Sequence, residues 1–166
     1  FQVDTTNVSS SGGDFTLALT DAAWQFAAYG GVISSPAVGS DGTIYVGAGT
    51  TLTDDQLDNS NYPEDHVYAL NPNGTKKWSY ATGQPIDLSS PAIGSDGTVY
   101  IGSGSKKLYA LNGSTGAFKW SFNATTAVLA SPVVASDGTV YFRDDTTLYA
   151  LTSSGSQKWT FALAGS

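Results

Sequence analysis

The sequence predicts an all-β protein built from repeated four-stranded units, and three recurring motifs carry that prediction. A Ser-Asp-Gly-Thr turn occurs three times, a Tyr-Ala-Leu block follows each turn, and each unit ends on a Lys-Trp pair. The tyrosines of the second motif, Tyr68, Tyr109 and Tyr149, are 41 and then 40 residues apart. A period near 40 residues with four short strands per unit is that of a β-propeller blade. We therefore expect blades of four antiparallel strands, three of them complete and one partial at the N-terminus.

The first complete unit shows how each strand is assigned. Residues 36–38 are expected to form the first strand, because a proline is tolerated where a strand starts. The turn at 40–42 contains an Asp-Gly pair, in which glycine permits a positive φ and aspartate bonds its own backbone. Residues 43–46 alternate β-branched and aromatic side chains and predict the second strand. Residues 67–70 and 76–80 follow as the third strand and the outermost fourth strand.

The repeat divides the chain into one array of blades, residues 1–166, with no second domain. The first complete blade carries an insertion, because Tyr68 lies 23 positions after Tyr45 whereas Tyr109 lies nine positions after Tyr100. The predicted units are a degenerate partial blade (1–29), a blade with an inserted loop at 50–65 (30–82), and two further blades (83–124 and 125–166).

One tryptophan occupies the same place near the end of each unit. A large indole close to a blade edge can pack over the neighbouring blade and donate its N–H to a backbone acceptor. We interpret these residues as blade-docking side chains rather than ligand-stacking ones, because a ligand site rarely recurs identically in every repeat. The predicted docking residues are Trp24, Trp78, Trp120 and Trp159.

The repeated pattern, from Ser34 to Phe161, resembles the tryptophan-docked repeats of pyrroloquinoline-quinone-type (quinoprotein) alcohol dehydrogenases. It is also similar to the repeats of the lipoprotein that assists outer-membrane protein assembly. The resemblance implies a β-propeller. The enzymes of this family use a vicinal disulfide over the quinone and a calcium-bound carboxylate beside a catalytic Asp. This chain has no cysteine and no position that matches those active-site motifs, so we expect the blade architecture without catalytic residues or a quinone cofactor.

The inserted loop is the largest departure from the repeat and the one candidate metal site. Clustered carboxylates on a loop can supply the oxygens that calcium prefers, although the spacing is not that of an EF-hand. A solvated polar loop and a loop that contacts a partner are the alternatives. The candidate ligands are Asp54, Asp55, Asp58 and Asp65.

Composition limits the partners and the compartment. The net charge of −7 argues against nucleic acid and against an anionic membrane surface, and no apolar stretch approaches the ~20 residues of a membrane span. The absence of cysteine and methionine suits an oxidising environment. We therefore expect an extracellular or cell-surface protein, with candidate glycosylation sequons at Asn7, Asn73, Asn112 and Asn123.

Two further departures from the repeat predict local structure rather than a functional site. The Arg143-Asp144-Asp145 sequence replaces the Gly-Ser-Gly of the preceding blade and is interpreted as a local ion pair in a hairpin turn. His66 is the only histidine, and we expect it to open a strand rather than act as a base.

The function predicted from the sequence is structural. About four blades leave blade faces and strand edges open, so we expect a non-enzymatic homo-oligomer or polymer that self-associates into a ring or a filament. A protein- or glycan-binding module cut from a longer propeller is the alternative, and a fragment of an enzyme whose active site lies elsewhere is a third.

The calcium hypothesis predicts a thermal shift. If the four candidate aspartates bind calcium, the melting temperature should fall on addition of a chelator, because a ligand that binds only the folded state stabilises it. Differential scanning fluorimetry with and without millimolar calcium measures this. An unchanged melting curve would contradict the hypothesis.

Overall fold

The computed structural model describes residues 24–28, 31–49, 65–86 and 88–163. These residues form twelve strands in three four-stranded antiparallel sheets, which confirms the predicted all-β propeller blades. Within each sheet the strands follow chain order, and the fourth strand lies at the edge. No helix in the described ranges is long and apolar enough to cross a membrane.

The strand bounds recur from blade to blade with a nearly constant pattern. The first blade contains β1 (Ala37–Val38), β2 (Ile44–Ala48), β3 (His66–Leu70) and β4 (Lys76–Ala81). The second blade contains β5 (Ala92–Ile93), β6 (Thr98–Ser103), β7 (Lys107–Asn112) and β8 (Phe118–Asn123). The third blade contains β9 (Val133–Val134), β10 (Val140–Arg143), β11 (Thr147–Leu151) and β12 (Gln157–Ala162).

A bulge in the outermost strand recurs at the Lys-Trp pair of every blade. In the first blade Ala69 pairs with Trp78 and Leu70 pairs with Lys76, so that Lys77 is skipped. The second and third blades skip Lys119 and Lys158 in the same way. A bulge re-aims the side chains around it, and here the lysine reaches back to a turn of its own blade.

That turn is the Asp-Gly turn predicted from the sequence. Lys77 Nζ lies 3.1 Å from Asp41 Oδ2 and 2.8 Å from Thr43 Oγ1. The backbone N–H and the hydroxyl of Thr43, together with Lys77, lower the pKa of Asp41 to about 2. Gly42 takes a φ of 79°, which a residue with a Cβ rarely adopts. The turns at Asp96 and Asp137 are built in the same way.

The core lies between the blades rather than within them. One cluster joins the first two blades through buried residues that include Tyr45, Ile86 and Ile101. A second cluster joins the second and third blades around Tyr100 and Phe142. Each sheet therefore buries both of its faces only when a blade lies on each side.

The predicted local ion pair in the Arg143-Asp144-Asp145 segment is wrong, because Arg143 forms no ion pair with either aspartate. The carboxylate of Asp144 is buried, and Arg143 donates to the backbone oxygen of Asp144 at 3.4 Å rather than to the carboxylate. Burial alone would raise the pKa of Asp144, but hydrogen bonds from its neighbours outweigh burial and lower the pKa to about 2. The donors are the backbone N–H groups of Thr125, Thr126, Thr146 and Thr147 and the hydroxyls of Thr146 and Tyr149.

We expect Asp144→Asn to lower the free energy of unfolding by about 2–4 kcal/mol, because an amide N–H would face buried backbone donors. Asp145→Asn, at the exposed neighbouring position, is the matched control and should change stability by less than ~0.5 kcal/mol. Urea unfolding measures both.

The same prediction has a pH dependence. The folded-state pKa of Asp144 is lower than the ordinary pKa of an aspartate, 3.8. The contribution of its carboxylate to the free energy of unfolding is therefore complete above pH 3.8 and is lost as the pH falls towards 2. The difference in the free energy of unfolding between wild type and Asp144→Asn should therefore shrink as the pH falls from about 4 to 2. A difference that is constant from pH 6 to pH 2 would contradict the assignment.

Candidate functional site

The blade-docking contact is an indole that lies on a bare glycine of the next blade. Trp78 Nε1 donates to the carbonyl oxygen of Gly113 at 2.7 Å, and its ring covers Gly116. Gly116 has a φ of 73°, and a Cβ at this position would lie 2.7 Å from the ring. A glycine is therefore needed here for two reasons: the turn between the third and fourth strands requires a positive φ, and the tryptophan ring requires a backbone without a Cβ.

The second blade docks on the third in the same manner. Trp120 Nε1 donates to Ser153 O at 3.0 Å, and its ring covers Gly155, where φ is 86°. Trp78 and Trp120 are buried and half-buried respectively. The geometry places both tryptophans at blade junctions.

The short segment at residues 24–28 makes the same contact, an indole on a bare glycine, with the first blade. Trp24 Nε1 donates to Pro72 O at 2.7 Å, and the indole covers Gly74, where a Cβ would overlap the ring. Phe26 packs edge-on against Tyr68 with ring centroids 5.3 Å apart. Residues 24–28 therefore occupy the place of a preceding blade's outermost strand. The rest of the predicted partial blade lies outside the described residues.

A second set of contacts joins the blades near their innermost strands. The backbone N–H of Ser35 donates to Ser90 Oγ at 2.9 Å, and the N–H of Ser90 donates to Ser131 Oγ at 2.9 Å. The hydroxyl of each accepting serine thus receives a hydrogen bond from a backbone N–H of the preceding blade. The interface between two blades is fixed at its outer rim by an indole and near its inner strands by a serine.

The third blade presents the same surface without a following blade in the described residues. Trp159 is 43% exposed where Trp78 is 8% exposed, and Phe161 is 63% exposed. Val133 and Tyr141 are paired across β9 and β10, and the Tyr141 ring lies 5.8 Å from the Trp159 ring. We call this surface the open face and define it by Val133, Tyr141, Arg143, Trp159 and Phe161.

The predicted calcium ligands are not brought together by anything the structure describes. Asp54, Asp55 and Asp58 lie outside the described residues. Asp65 is described, and its backbone oxygen accepts from the N–H of Thr82 at 2.9 Å. Within the described ranges no group of three or more His, Asp or Glu side chains could hold a metal. The calcium site stays a prediction.

Three of the four sequons fall on described residues. Asn73 lies exposed on the turn after β3, and Asn112 and Asn123 lie exposed at the ends of β7 and β8. The side-chain oxygens of Asn73 and Asn112 accept backbone N–H groups two residues further on. Asn7 lies outside the described residues. Occupancy by glycans stays a prediction.

A shallow polar cleft of about 250 Å³ lies between the Asp-Gly turns of the second and third blades. Asp96 and Asp137 line it. Their carboxylates lie 3.1 Å from Lys119 Nζ and 3.6 Å from Lys158 Nζ respectively. Because both carboxylates already have a cation beside them, the cleft has no obvious free charge for a ligand.

Sequence reasoning found the tryptophans but missed their acceptors. The glycines that receive them, Gly74, Gly116 and Gly155, all precede a Lys-Trp pair by three to four residues. The constant spacing between glycine and tryptophan in the sequence could have predicted these acceptors. The serine contacts had a signal as well, the repeated Ser-Pro at the start of each unit, but only the structure shows that the serine bonds across blades.

Residues 63–166, more than half of the chain, match the family described as outer membrane protein assembly factor BamB. Among curated proteins, none matches the sequence significantly.

Solved structures share the fold at low identity. BamB from Moraxella catarrhalis superposes with a TM-score of 0.67 at 20% identity, over 90% of this chain and 42% of that one. The quinohemoprotein alcohol dehydrogenase ADHIIG from Pseudomonas putida HK5 gives 0.63 at 21% identity, over 81% of this chain and 21% of that one. The corresponding enzyme from Comamonas testosteroni gives 0.62 at 21% identity, over 81% and 21%.

This chain thus spans less than half the length of the structures it matches. At these identities the solved structures show the fold alone. The match over residues 63–166 goes further, and the chain belongs to the BamB-type family of pyrroloquinoline-quinone-like β-propeller repeat proteins.

Proposed function

We propose that this chain is a non-catalytic docking module that acts by binding another polypeptide on its open face, and that a second copy of the chain is one such polypeptide. The observation that carries the proposal is the exposure of Trp159. Its equivalents Trp78 and Trp120 each donate to a carbonyl of the next blade, whereas Trp159 is 43% exposed. A cluster of exposed aromatic side chains on a sheet face is typical of an interaction surface.

Self-association is favoured by the chemistry of the chain's own blades. They bury apolar faces against each other at two successive interfaces, so the chain contains surfaces of the type that the open face packs against. The net charge of −7 opposes association, but repulsion between exposed charges is screened over about 8–10 Å at ordinary salt. A ring or a filament is the assembly that head-to-tail contacts would produce.

A binding module for a different protein is the second candidate. The family description names an outer membrane protein assembly factor, and BamB from Moraxella catarrhalis shares the fold over 90% of this chain. This relation favours a role in protein assembly at the cell envelope, beside the extracellular or cell-surface location that composition suggests. The open face would serve this role as well.

Absence of catalysis is part of the proposal. The described blades contain no cysteine that could form a disulfide over a quinone. We expect neither stoichiometric quinone binding nor turnover of alcohols, with or without added calcium. Equilibrium dialysis with pyrroloquinoline quinone tests the binding, and one bound quinone per chain would contradict the proposal.

Sedimentation velocity between about 1 and 100 µM tests self-association. We expect wild type to associate and Trp159→Ala to remain a monomer with nearly unchanged stability, because that indole lies on the open face. Trp78→Ala, which removes a buried indole, should instead cost about 3–5 kcal/mol of stability. A monomeric wild type, or equal association of wild type and Trp159→Ala, would contradict association through this face.

A further inference from the structure

Five side chains with a carboxyl or carboxamide group stand directly before a glycine in this sequence. Such a pair can close a five-membered succinimide ring, because a glycine without a Cβ lets its backbone nitrogen approach the side-chain carbonyl carbon. Three of the pairs are Asp-Gly and two are Asn-Gly, and all five lie within the described residues. Their first members are Asp41, Asp96, Asp137, Asn73 and Asn112.

The three aspartates are protected by their charge. Ring closure has to expel an oxygen of the carboxyl group, and an ionised carboxylate is a poor electrophile. In each turn the threonine two residues further on donates its N–H and its hydroxyl to the carboxylate, and a lysine lies 3.1–3.6 Å away. These donors lower the pKa of Asp41 to about 2 and also lower that of Asp137; at Asp96 they outweigh burial and lower the pKa to about 2. The Asp-Gly turns are therefore ionised at neutral pH.

Asn73 has the same donors around an uncharged amide. In the turn between β3 and β4, the N–H of Thr75 donates to Asn73 Oδ1 at 3.1 Å and the hydroxyl of Thr75 donates to the same oxygen at 2.7 Å. Attack of a nitrogen on Asn73 Cγ turns Oδ1 into the oxyanion of a tetrahedral intermediate. Donors that already point at the atom where charge develops stabilise such an intermediate. The turn geometry that keeps Asp41 ionised thus activates the amide of Asn73.

The attacking nitrogen, that of Gly74, is held only by local structure. Its N–H donates to Asn71 O at 2.9 Å within the same turn, and Asn73 is exposed. Trp24 covers Gly74, but the segment 24–28 belongs to none of the three described sheets. Opening an exposed turn costs less free energy than opening a packed core element. The nitrogen can therefore be freed without separating one blade from another.

Asn112 provides an internal comparison. Its Oδ1 also accepts two backbone N–H groups, at 3.0 and 3.1 Å, so its amide is activated in a similar way. Its neighbour Gly113 is buried, and the N–H of Gly113 donates to Gly97 O at 3.1 Å. The carbonyl of Gly113 accepts from Trp78 Nε1 at 2.7 Å and from the Tyr45 hydroxyl at 3.1 Å, both on the preceding blade. Freeing this nitrogen requires opening of the blade junction.

We propose that Asn73 is a site of spontaneous covalent modification, at which the folded chain converts asparagine into aspartate and isoaspartate. A bond forms between the Gly74 nitrogen and Asn73 Cγ, the Cγ–Nδ2 bond breaks, and the proton of the Gly74 N–H leaves with Nδ2 as ammonia. One water then opens the succinimide at either of its carbonyl carbons. Because Nδ2 is also the atom that a glycan would occupy, glycosylation and this reaction exclude each other at Asn73.

The two products have different structural consequences. Aspartate at position 73 reproduces the Asp41-Gly42-Thr43 turn, in which the carboxylate accepts the N–H and the hydroxyl of the threonine, so the turn is retained. Isoaspartate carries the main chain through Cβ and Cγ and lengthens it by one carbon. The longer turn displaces Gly74 from beneath the Trp24 ring and disturbs the hydrogen bond to Pro72 O. We expect isoaspartate, and not aspartate, to weaken the docking of residues 24–28 on the first blade.

Peptide mapping by mass spectrometry tests the proposal on protein from a host that adds no N-glycans. The folded chain is incubated at mildly alkaline pH and physiological temperature and digested at acidic pH. Isoaspartyl methyltransferase identifies the isoaspartate, and the chain in denaturant is the control, in which both Asn-Gly pairs should react at similar rates. In the folded chain we expect Asn73 to react at least about tenfold faster than Asn112. Equal rates, a faster Asn112, or no isoaspartate at Asn73 in the time that converts the denatured chain would overturn the proposal.

The activating role of the turn donors has a matched pair of variants. Thr75→Val removes the hydroxyl that donates to Asn73 Oδ1 and keeps the backbone N–H, whereas Thr75→Ser keeps both donors. We expect Thr75→Val to slow the reaction at Asn73 several-fold and Thr75→Ser to leave its rate close to that of wild type, with the rate at Asn112 unchanged in both. A rate at Asn73 that is equal in the two variants, or faster in Thr75→Val, would overturn the role of the hydroxyl.

Discussion

The contact between an indole and a bare glycine backbone is the interaction on which the blade array depends. A four-stranded sheet with two apolar faces is stable in water only when both faces are covered. Here Trp78 and Trp120 align each sheet with the blade that covers it. Their rings lie on Gly116 and Gly155, and their N–H groups donate to a carbonyl of the same turn. The glycine is needed twice, for its positive φ and for its missing side chain. Turn geometry and blade packing are therefore a single constraint.

The bulge in the outermost strand couples this contact to the fold of each blade. In a regular strand, neighbouring side chains point to opposite faces, and the skipped lysine changes that alternation locally. Lys77 reaches the Asp41 turn of its own blade while Trp78 reaches the next blade. Exposed ion pairs add little to stability, so the contribution of the Lys–Asp contact is to fix the strand end from which the indole projects.

What repeats in the sequence could be predicted, and what depends on pairing between distant residues could not. The Asp-Gly turns, the strands and the docking role of Trp78 follow from local chemistry that occurs three times. The ion pair predicted in the Arg143-Asp144-Asp145 segment was wrong because adjacency in sequence suggested it, whereas Arg143 is exposed and the carboxylate of Asp144 is buried. Asp144 accepts from Thr146, Thr147 and Tyr149 nearby. Two further donors lie 18 and 19 residues upstream, and no local pattern indicates those two contacts. The loop at 50–65, apart from Asp65, and the residues before Trp24 lie outside the described structure.

The third blade departs from the repeat at a position where the first two blades carry no side chain. A Cβ at Gly47 would overlap Ile86, and a Cβ at Gly102 would overlap the backbone oxygen of Val128. Both aliphatic residues are fully buried, so the missing side chains let the segment between two blades lie against the sheet. Arg143 stands at the corresponding position on β10 and is the chain's only arginine. A surface that packs on the third blade therefore has to leave room for a side chain that the first two junctions exclude.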